Sequence, residues 1–208
     1  TVKRHKAGYH DRNLYQNIAS ATKLREMKRN NENINDFIPY KLEDINCDIP
    51  YDISNLDSAI ISKLRLMTAE DLQNISEVTE GIENRILSSA NMSYSFETLV
   101  ENVKNKRYTT SKIRRMIISA LIGFTKDIYS PMPQYIRILG MNKVGMTILK
   151  QAKDTCKVPI ITKTADFKEQ SPQFNLDVRA TNIAMLCNPI PTHRIGNADL
   201  KKSPIIMK

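Results

Sequence analysis

The stretch KNKRYTTSKIRRMIISALIGF, residues 104–124, joins the two patterns that decide the fold. In its second half Ile113, Met116, Ile117, Ala120, Leu121 and Phe124 recur at helical period, one apolar stripe made for burial. Thr109 precedes the stripe and can cap the first unpaired backbone N–H groups. The first half collects Lys104, Lys106, Arg107, Lys112, Arg114 and Arg115, and no Asp or Glu occurs between Glu101 and Asp127. On a helical wheel Arg115 lies opposite the stripe, with Lys112 and Arg114 flanking it. Burying the stripe leaves these cations in water at the positive end of the helix dipole, an unfavourable place unless an anion meets them. A phosphate backbone is the natural candidate, and Tyr108 adds a ring able to stack on a base. A solvated cationic face is the competing reading. The absence of any acid across the stretch favours RNA.

The whole chain agrees in sign. Its 208 residues carry 31 Lys+Arg against 22 Asp+Glu, a formal charge of +9, which suits a polyanion or an anionic membrane surface. With 41% hydrophobic residues the chain is a folded body of one or two domains, not a basic tail. No apolar run reaches the roughly 18 residues of a membrane span, and TVKRHKAGYHD has no signal-peptide core. Cys47, Cys156 and Cys187 are far apart and odd in number, which points to reduced thiols in a cytoplasmic compartment. His5, His10 and His193 make no metal spacing with them, so no metal site is expected.

Outward from the basic stretch, the chain reads mainly as helix. Ser20 is a good N-cap for a helix over 21–28. Its hydroxyl, that of Thr22, the helix N–H groups and the Arg25 guanidinium would converge as in a phosphate cradle. From spacing alone an ordinary capped helix is the favoured reading there. Residues 29–51 are polar and rich in Asn, Asp and Pro, and read as a linker. The boundary is placed there, giving segments 1–45 and 46–208. Helical stripes follow at Leu56, Ile60, Ile61, Leu64 and Met67, then at Leu72, Ile75 and Val78 behind a Thr68–Asp71 capping box. Gly81 interrupts the pattern before Ile82, Ile86 and Leu87, and marks a break or a close backbone approach. Ser95 caps a helix through Phe96, Leu99, Val100 and Val103. A short strand at 135–139 should pair with a second at 158–162. Helices are expected over 144–152, with Ile148 and Leu149 inward, and over 177–187. The tail, 188–208, should wrap the surface. Nothing like GxSxG or a phosphate-binding lysine loop occurs, so no complete catalytic site is expected in these residues.

Several of these stretches together resemble the bacterial tRNA(Met) cytidine acetate ligases, in which a HIGH-type nucleotidyltransferase domain precedes a helical domain. The resemblance rests on Lys3-Arg4 with Gly8-Tyr9-His10-Asp11; Ala19-Ser20-Ala21-Thr22 with Leu24-Arg25; Glu80-Gly81-Ile82-Glu83-Asn84-Arg85; Lys106-Arg107-Tyr108-Thr109 with Ile113 and Arg115; and Tyr135-Ile136-Arg137-Ile138-Leu139-Gly140. It implies ATP-dependent activation of acetate, with Mg2+, to acetyl-adenylate, and transfer of the acetyl group to N4 of the wobble cytidine of elongator tRNA(Met). Ser20, Thr22 and Arg25 match the second nucleotide motif and would contact ATP phosphates, which reverses the reading from spacing; Lys3 and Arg4 would lie nearby. Lys104, Lys106, Arg107, Tyr108, Lys112, Arg114 and Arg115 would hold tRNA. The family's HxGH motif is not among these residues and is expected upstream of Thr1. The implied fold is a helical RNA-binding domain with a small two-stranded β element, preceded by the C-terminal remnant of an α/β nucleotidyltransferase domain. A non-catalytic RNA-binding module and an interaction domain with an incidental basic face are the alternatives.

Overall fold

Short polar side chains start most helices of the described residues. In the computed structural model, which describes residues 12–39, 51–79, 81–130, 132–167 and 171–207, the Ser20 hydroxyl accepts the Lys23 N–H at 3.1 Å and opens helix α1, Ala21–Arg29. The chain divides into two units, Thr1–Asp52 and Ile53–Lys208. The division falls a few residues beyond the boundary that the sequence places after residue 45. Within the first unit Met27 and Ile34 are buried. Asn31 takes a left-handed conformation just past the helix, at φ 59°. Lys3, Arg4 and the Gly8–Asp11 motif lie outside the described residues.

The second unit is built on five helices: α2 (Asp57–Arg65), α3 (Ala69–Gln73), α4 (Glu83–Met92), α5 (Phe96–Val103) and α6 (Thr110–Ile122). Helix α2 packs on α4 and α6, and α5 lies against both of these. Their stripes meet in one core, in which Ile60, Leu64, Leu72, Ile86, Leu99, Ile113 and Met116 are all but inaccessible. The caps are those the sequence expects. Thr68 and Asp71 form a reciprocal capping box, and the Thr68 backbone N–H and hydroxyl hold the Asp71 carboxyl below the usual carboxylate range. Ser95 and Thr98 do the same for α5, and Asp57 adds an acceptor for the Phe96 N–H at 2.8 Å.

Two expected helical runs stop early, and one anticipated break is present. The run through Ile75 and Val78 is helical only to Gln73. Both residues are still buried, because Ile75 bridges Thr125 across the unit. Gly81 is a true break: its φ is +89° and open space surrounds an added Cβ, so the conformation and not a close approach requires glycine. Phe124 does not extend α6. Gly123 turns left-handed at φ +71°, and the Phe124 and Gly123 N–H groups return to Ser119 O at 2.8 Å and Ala120 O at 3.3 Å.

Arginines close the opposite ends. The Arg65 guanidinium binds Ala90 O, Asn91 O and Ser93 O at 3.1, 3.4 and 3.2 Å, at the end of α4. Arg85 binds Val103 O, Asn102 O and Lys104 O at 2.8, 3.0 and 2.9 Å, at the end of α5. Helix C-termini present unpaired, negatively polarised carbonyls, and a planar fork of donors satisfies several at once.

After α6 come β1 (Ile136–Arg137), β2 (Gly140–Met141), α7 (Lys143–Thr155), β3 (Ile160–Ile161), α8 (Pro172–Met185), α9 (Ala198–Lys201) and β4 (Ile205–Ile206). β1 pairs β3 as expected, parallel, with Ile136 opposite Ile160. A second parallel pair, β2 with β4, was not expected from the sequence and uses the tail, which therefore does more than wrap the surface. Gly140 permits it, since a Cβ there would stand 3.1 Å from Ile205 O. The tail is also tied down by Asp199, buried on α9, which takes the Arg137 guanidinium at 2.6 and 2.7 Å. Ile148 does not face inward: it is 59% exposed, and no residue of α7 is buried. Helix α8 starts before the expected range, and Leu186 lies exposed just past its end. Its Arg179 reaches Ile122 O at 3.1 Å, a third arginine on a helix end. Cys187 is buried and Cys156 half-buried, and neither forms a disulfide among the described residues; Cys47 lies outside the described residues.

Two stability predictions follow from these contacts. Arg85→Ala should cost about 2 kcal/mol in urea unfolding, and Arg85→Lys should recover only part of it, because one ammonium cannot span three carbonyls; equal stability of the alanine variant would contradict the cap. Glu83, buried in the first turn of α4, has its carboxyl held below the usual range by its own backbone N–H and by Gln73, 3.1 Å away. A depressed folded-state value stabilises above the unfolded value, and that stability is lost as pH falls through the folded one. Unfolding midpoints should therefore drop below about pH 4, and Glu83→Gln should shrink the drop.

Candidate nucleic-acid interface

The basic stretch is a held loop followed by a capped helix. Arg85 anchors its start at Lys104 O. The Asn105 carboxamide oxygen accepts the Arg107 and Tyr108 N–H groups at 2.9 and 3.0 Å, a side-chain turn that shapes residues 105–108. The Thr109 hydroxyl then accepts the Lys112 N–H at 3.3 Å and launches α6.

Two expectations about this stretch are corrected. Tyr108 is no stacking platform: it is 8% exposed and belongs to the core, and its hydroxyl is 2.7 Å from that of Thr79. Its ring instead carries cations, with Arg107 5.4 Å and the Lys112 ammonium 5.1 Å from the ring centroid. Nor do all the cations stand unopposed. Arg114 pairs with Glu97 and lies 5.2 Å over the Phe96 ring, Arg115 meets Glu77 at 3.5 Å, and Lys104 meets Glu101 at 3.5 Å. The sequence contains no acid within the stretch, but the fold brings acids from α5 and from the turn after α3. These pairs are exposed, so each contributes little to stability. Lys106, Arg107 and Lys112 form no ion pair with any described carboxylate; Lys106 and Arg107 are exposed and Lys112 half-buried.

The fold adds two residues that no local pattern marks. The Ser76 N–H binds Phe124 O at 2.9 Å and the Lys126 N–H binds Asn74 O at 2.8 Å, pinning the segment after α6 to the turn after α3. This creates a cavity of about 350 Å³ lined by Lys112, Lys126, Tyr129, Thr79, Ser76 and Glu77. Residues far apart in sequence meet there through one tertiary bridge, so spacing could not reveal it.

In the first unit, Ser20 is buried and its hydroxyl caps α1, Thr22 is half-buried, and Arg25 is exposed one turn further on. Lys23 is paired with Glu26 at 3.7 Å. Ser20, Thr22 and Arg25 thus share the first turns of one helix. Among the described residues no group of three His, Cys, Asp or Glu side chains is placed to hold a metal ion. No helix of the described residues is long and apolar enough to cross a membrane.

α1 opens on a side-chain cap and the second unit carries a cationic loop beside its helical core; the family comes from comparison with known proteins. The chain belongs to the HIGH nucleotidyl transferase family, whose model matches residues 1–199. It is similar to the tRNA(Met) cytidine acetate ligases of Thermosipho africanus, 33% identical over 236 residues, and of Clostridium botulinum strain Loch Maree, 32% identical over 220 residues. All of the chain is matched in both cases, against 56% and 53% of the relatives. It therefore spans about half the length of these curated relatives. Among solved structures it resembles Thermotoga maritima TmcAL in the apo form, with a TM-score of 0.84 at 28% identity over 99% of this chain and 55% of that one. The same protein bound with alpha-thio ATP gives 0.78 at 28% identity, over 93% of this chain and 53% of that one.

Because Lys106 and Arg107 touch no carboxylate among the described residues, replacing both by Ala should change unfolding free energy by less than about 0.5 kcal/mol. Tyr108→Phe, which strands the buried end of the Thr79 bond, should cost about 1 kcal/mol. A larger loss for the double variant than for Tyr108→Phe would make the loop cations structural.

Proposed function

We propose that this chain is the C-terminal part of an ATP-dependent tRNA(Met) cytidine acetate ligase, and that its own contribution is mainly to bind tRNA. The observation that carries the reading is the set Lys106, Arg107 and Lys112, unpaired among the described residues and held on a fixed loop and helix start. The named ligase activity of the relatives supports it. In the reaction, an acetate oxygen attacks the α-phosphorus of ATP and pyrophosphate leaves. N4 of the wobble cytidine of elongator tRNA(Met) then attacks the acetyl carbon, AMP leaves, and N4 loses a proton.

On this reading the first unit is the end of the nucleotidyltransferase domain and the rest is the helical RNA-binding domain. The N–H groups at the start of α1, Thr22 and the exposed Arg25 meet the ATP phosphates, with Ser20 fixing the helix start; Lys3 and Arg4 act beside them. Mg2+ would come with the triphosphate, whose oxygens, together with water, supply most of the ligands such an ion takes. The tRNA backbone lies along Lys106, Arg107 and Lys112, while Arg114, Arg115 and Lys104 shape the field around them from within ion pairs. A cytoplasmic location fits a tRNA substrate and two cysteines that form no disulfide among the described residues. No HxGH motif occurs in the 208 residues, so adenylation needs groups beyond them. A non-catalytic RNA-binding module is the second reading, favoured by the same cationic loop without the α1 cradle.

Titrating tRNA at several salt concentrations tests the proposal. Three phosphate contacts should give a slope of log K on log[salt] of about −2 to −3, and Lys106→Ala with Arg107→Ala should flatten it by about 1.5. A flat response removes the RNA reading. The chain alone should show no acetate-dependent ATP–pyrophosphate exchange, whereas Arg25→Ala in an intact ligase containing these residues should lower exchange and spare tRNA binding. Exchange by the chain alone would show that it carries a complete adenylation site.

A further inference from the structure

Tyr129 lines the cavity that Lys112 and Lys126 also line, and the residue is 63% exposed. Its placement is also fixed. Phe124 braces it from behind, with ring centroids 6.5 Å apart and planes tilted by 41°. The segment between them is pinned by Ser76, Asn74 and the Ile75–Thr125 bridge. The Lys112 ammonium is directed by the Tyr108 ring, whose hydroxyl contacts Thr79, another residue of the same cavity.

The acids nearby are engaged. Glu77 lines the cavity but meets Arg115 at 3.5 Å. Asp127 is bound by the Thr125 hydroxyl, which draws its carboxyl below the usual range. The arrangement is thus a ring face, two cations and small hydroxyl donors around about 350 Å³, room for one base and its phosphate.

We propose that Tyr129, Lys112 and Lys126 form a subsite for one unpaired nucleotide of the bound RNA, the base stacked on the Tyr129 ring and its phosphate held between the two ammonium groups. This rests on the RNA reading above and deepens it. It moves the stacking role from Tyr108, which is buried, to a residue on the same face that the sequence pattern does not single out. Duplex RNA offers the phosphates but no free base face, so the subsite should distinguish single-stranded from paired RNA.

The test measures binding of the chain to a short single-stranded oligoribonucleotide and to the same sequence as a duplex, by fluorescence anisotropy. Tyr129→Ala should weaken single-strand binding about tenfold, leave duplex binding unchanged and leave the salt slope unchanged. Tyr129→Phe should stay within about twofold of the parent, since stacking needs the ring and not the hydroxyl. Lys112→Ala with Lys126→Ala should weaken both RNAs and reduce the salt slope by about 1.5. If Tyr129→Ala lowers the melting temperature, Tyr129→Leu keeps the contact with Phe124 and must show the same single-strand loss. Unchanged single-strand affinity in Tyr129→Ala, or equal loss on duplex, overturns the subsite. The basic face would still stand if Lys106→Ala with Arg107→Ala weakens binding. A flat salt response in every variant overturns both.

Discussion

Three carbonyls at the end of α5 converge on the Arg85 guanidinium, and the placement of the basic loop depends on it. Without a partner those oxygens would seek water or fray the last turn. With one, the chain leaves α5 in a fixed direction at Lys104. Asn105 then folds the loop on itself, and Thr109 starts α6 one short turn later. The cation that does this is itself spent on structure. The cations it positions, Lys106, Arg107 and Lys112, are those without an ion-pair partner among the described residues.

Charge in this unit therefore has two jobs that composition cannot separate. Arg65, Arg85 and Arg179 bind helix ends, Arg114 and Arg115 are paired across elements, and Arg137 locks the tail through Asp199. A count of basic residues treats them all alike. Only a residue's tertiary neighbours decide whether its charge is turned inward or offered to a partner. On the proposed reading the surplus left after these internal uses is what meets phosphate.

Local signals in the sequence read true where the physics is local. Ser20, Thr68, Ser95 and Thr109 cap the helices they precede, and the stripes of α2, α5 and α6 are the core. What the pattern hid was set at long range. Tyr108 reads as a free ring beside cations, yet Thr79 and the core hold it down. Arg114 and Arg115 read as unopposed because their acids lie outside the stretch. The β2–β4 pair joins residues far apart along the chain, and Val144, Met146 and Ile148 of α7 stay exposed although their spacing suits burial. The family resemblance read from ordered motifs agrees with the match over residues 1–199, whereas the roles of Ser20, Thr22 and Arg25 remain a matter of chemistry at one helix start.

The central claim is that tRNA lies on the loop held by Arg85 and on the start of α6. Amine labelling of lysines, read by mass spectrometry with and without tRNA, tests it most directly. Bound tRNA should shield Lys106 and Lys112 while the exposed lysines of α7, Lys143, Lys150 and Lys153, label as before. Shielding of α7 with Lys106 and Lys112 left reactive would contradict it.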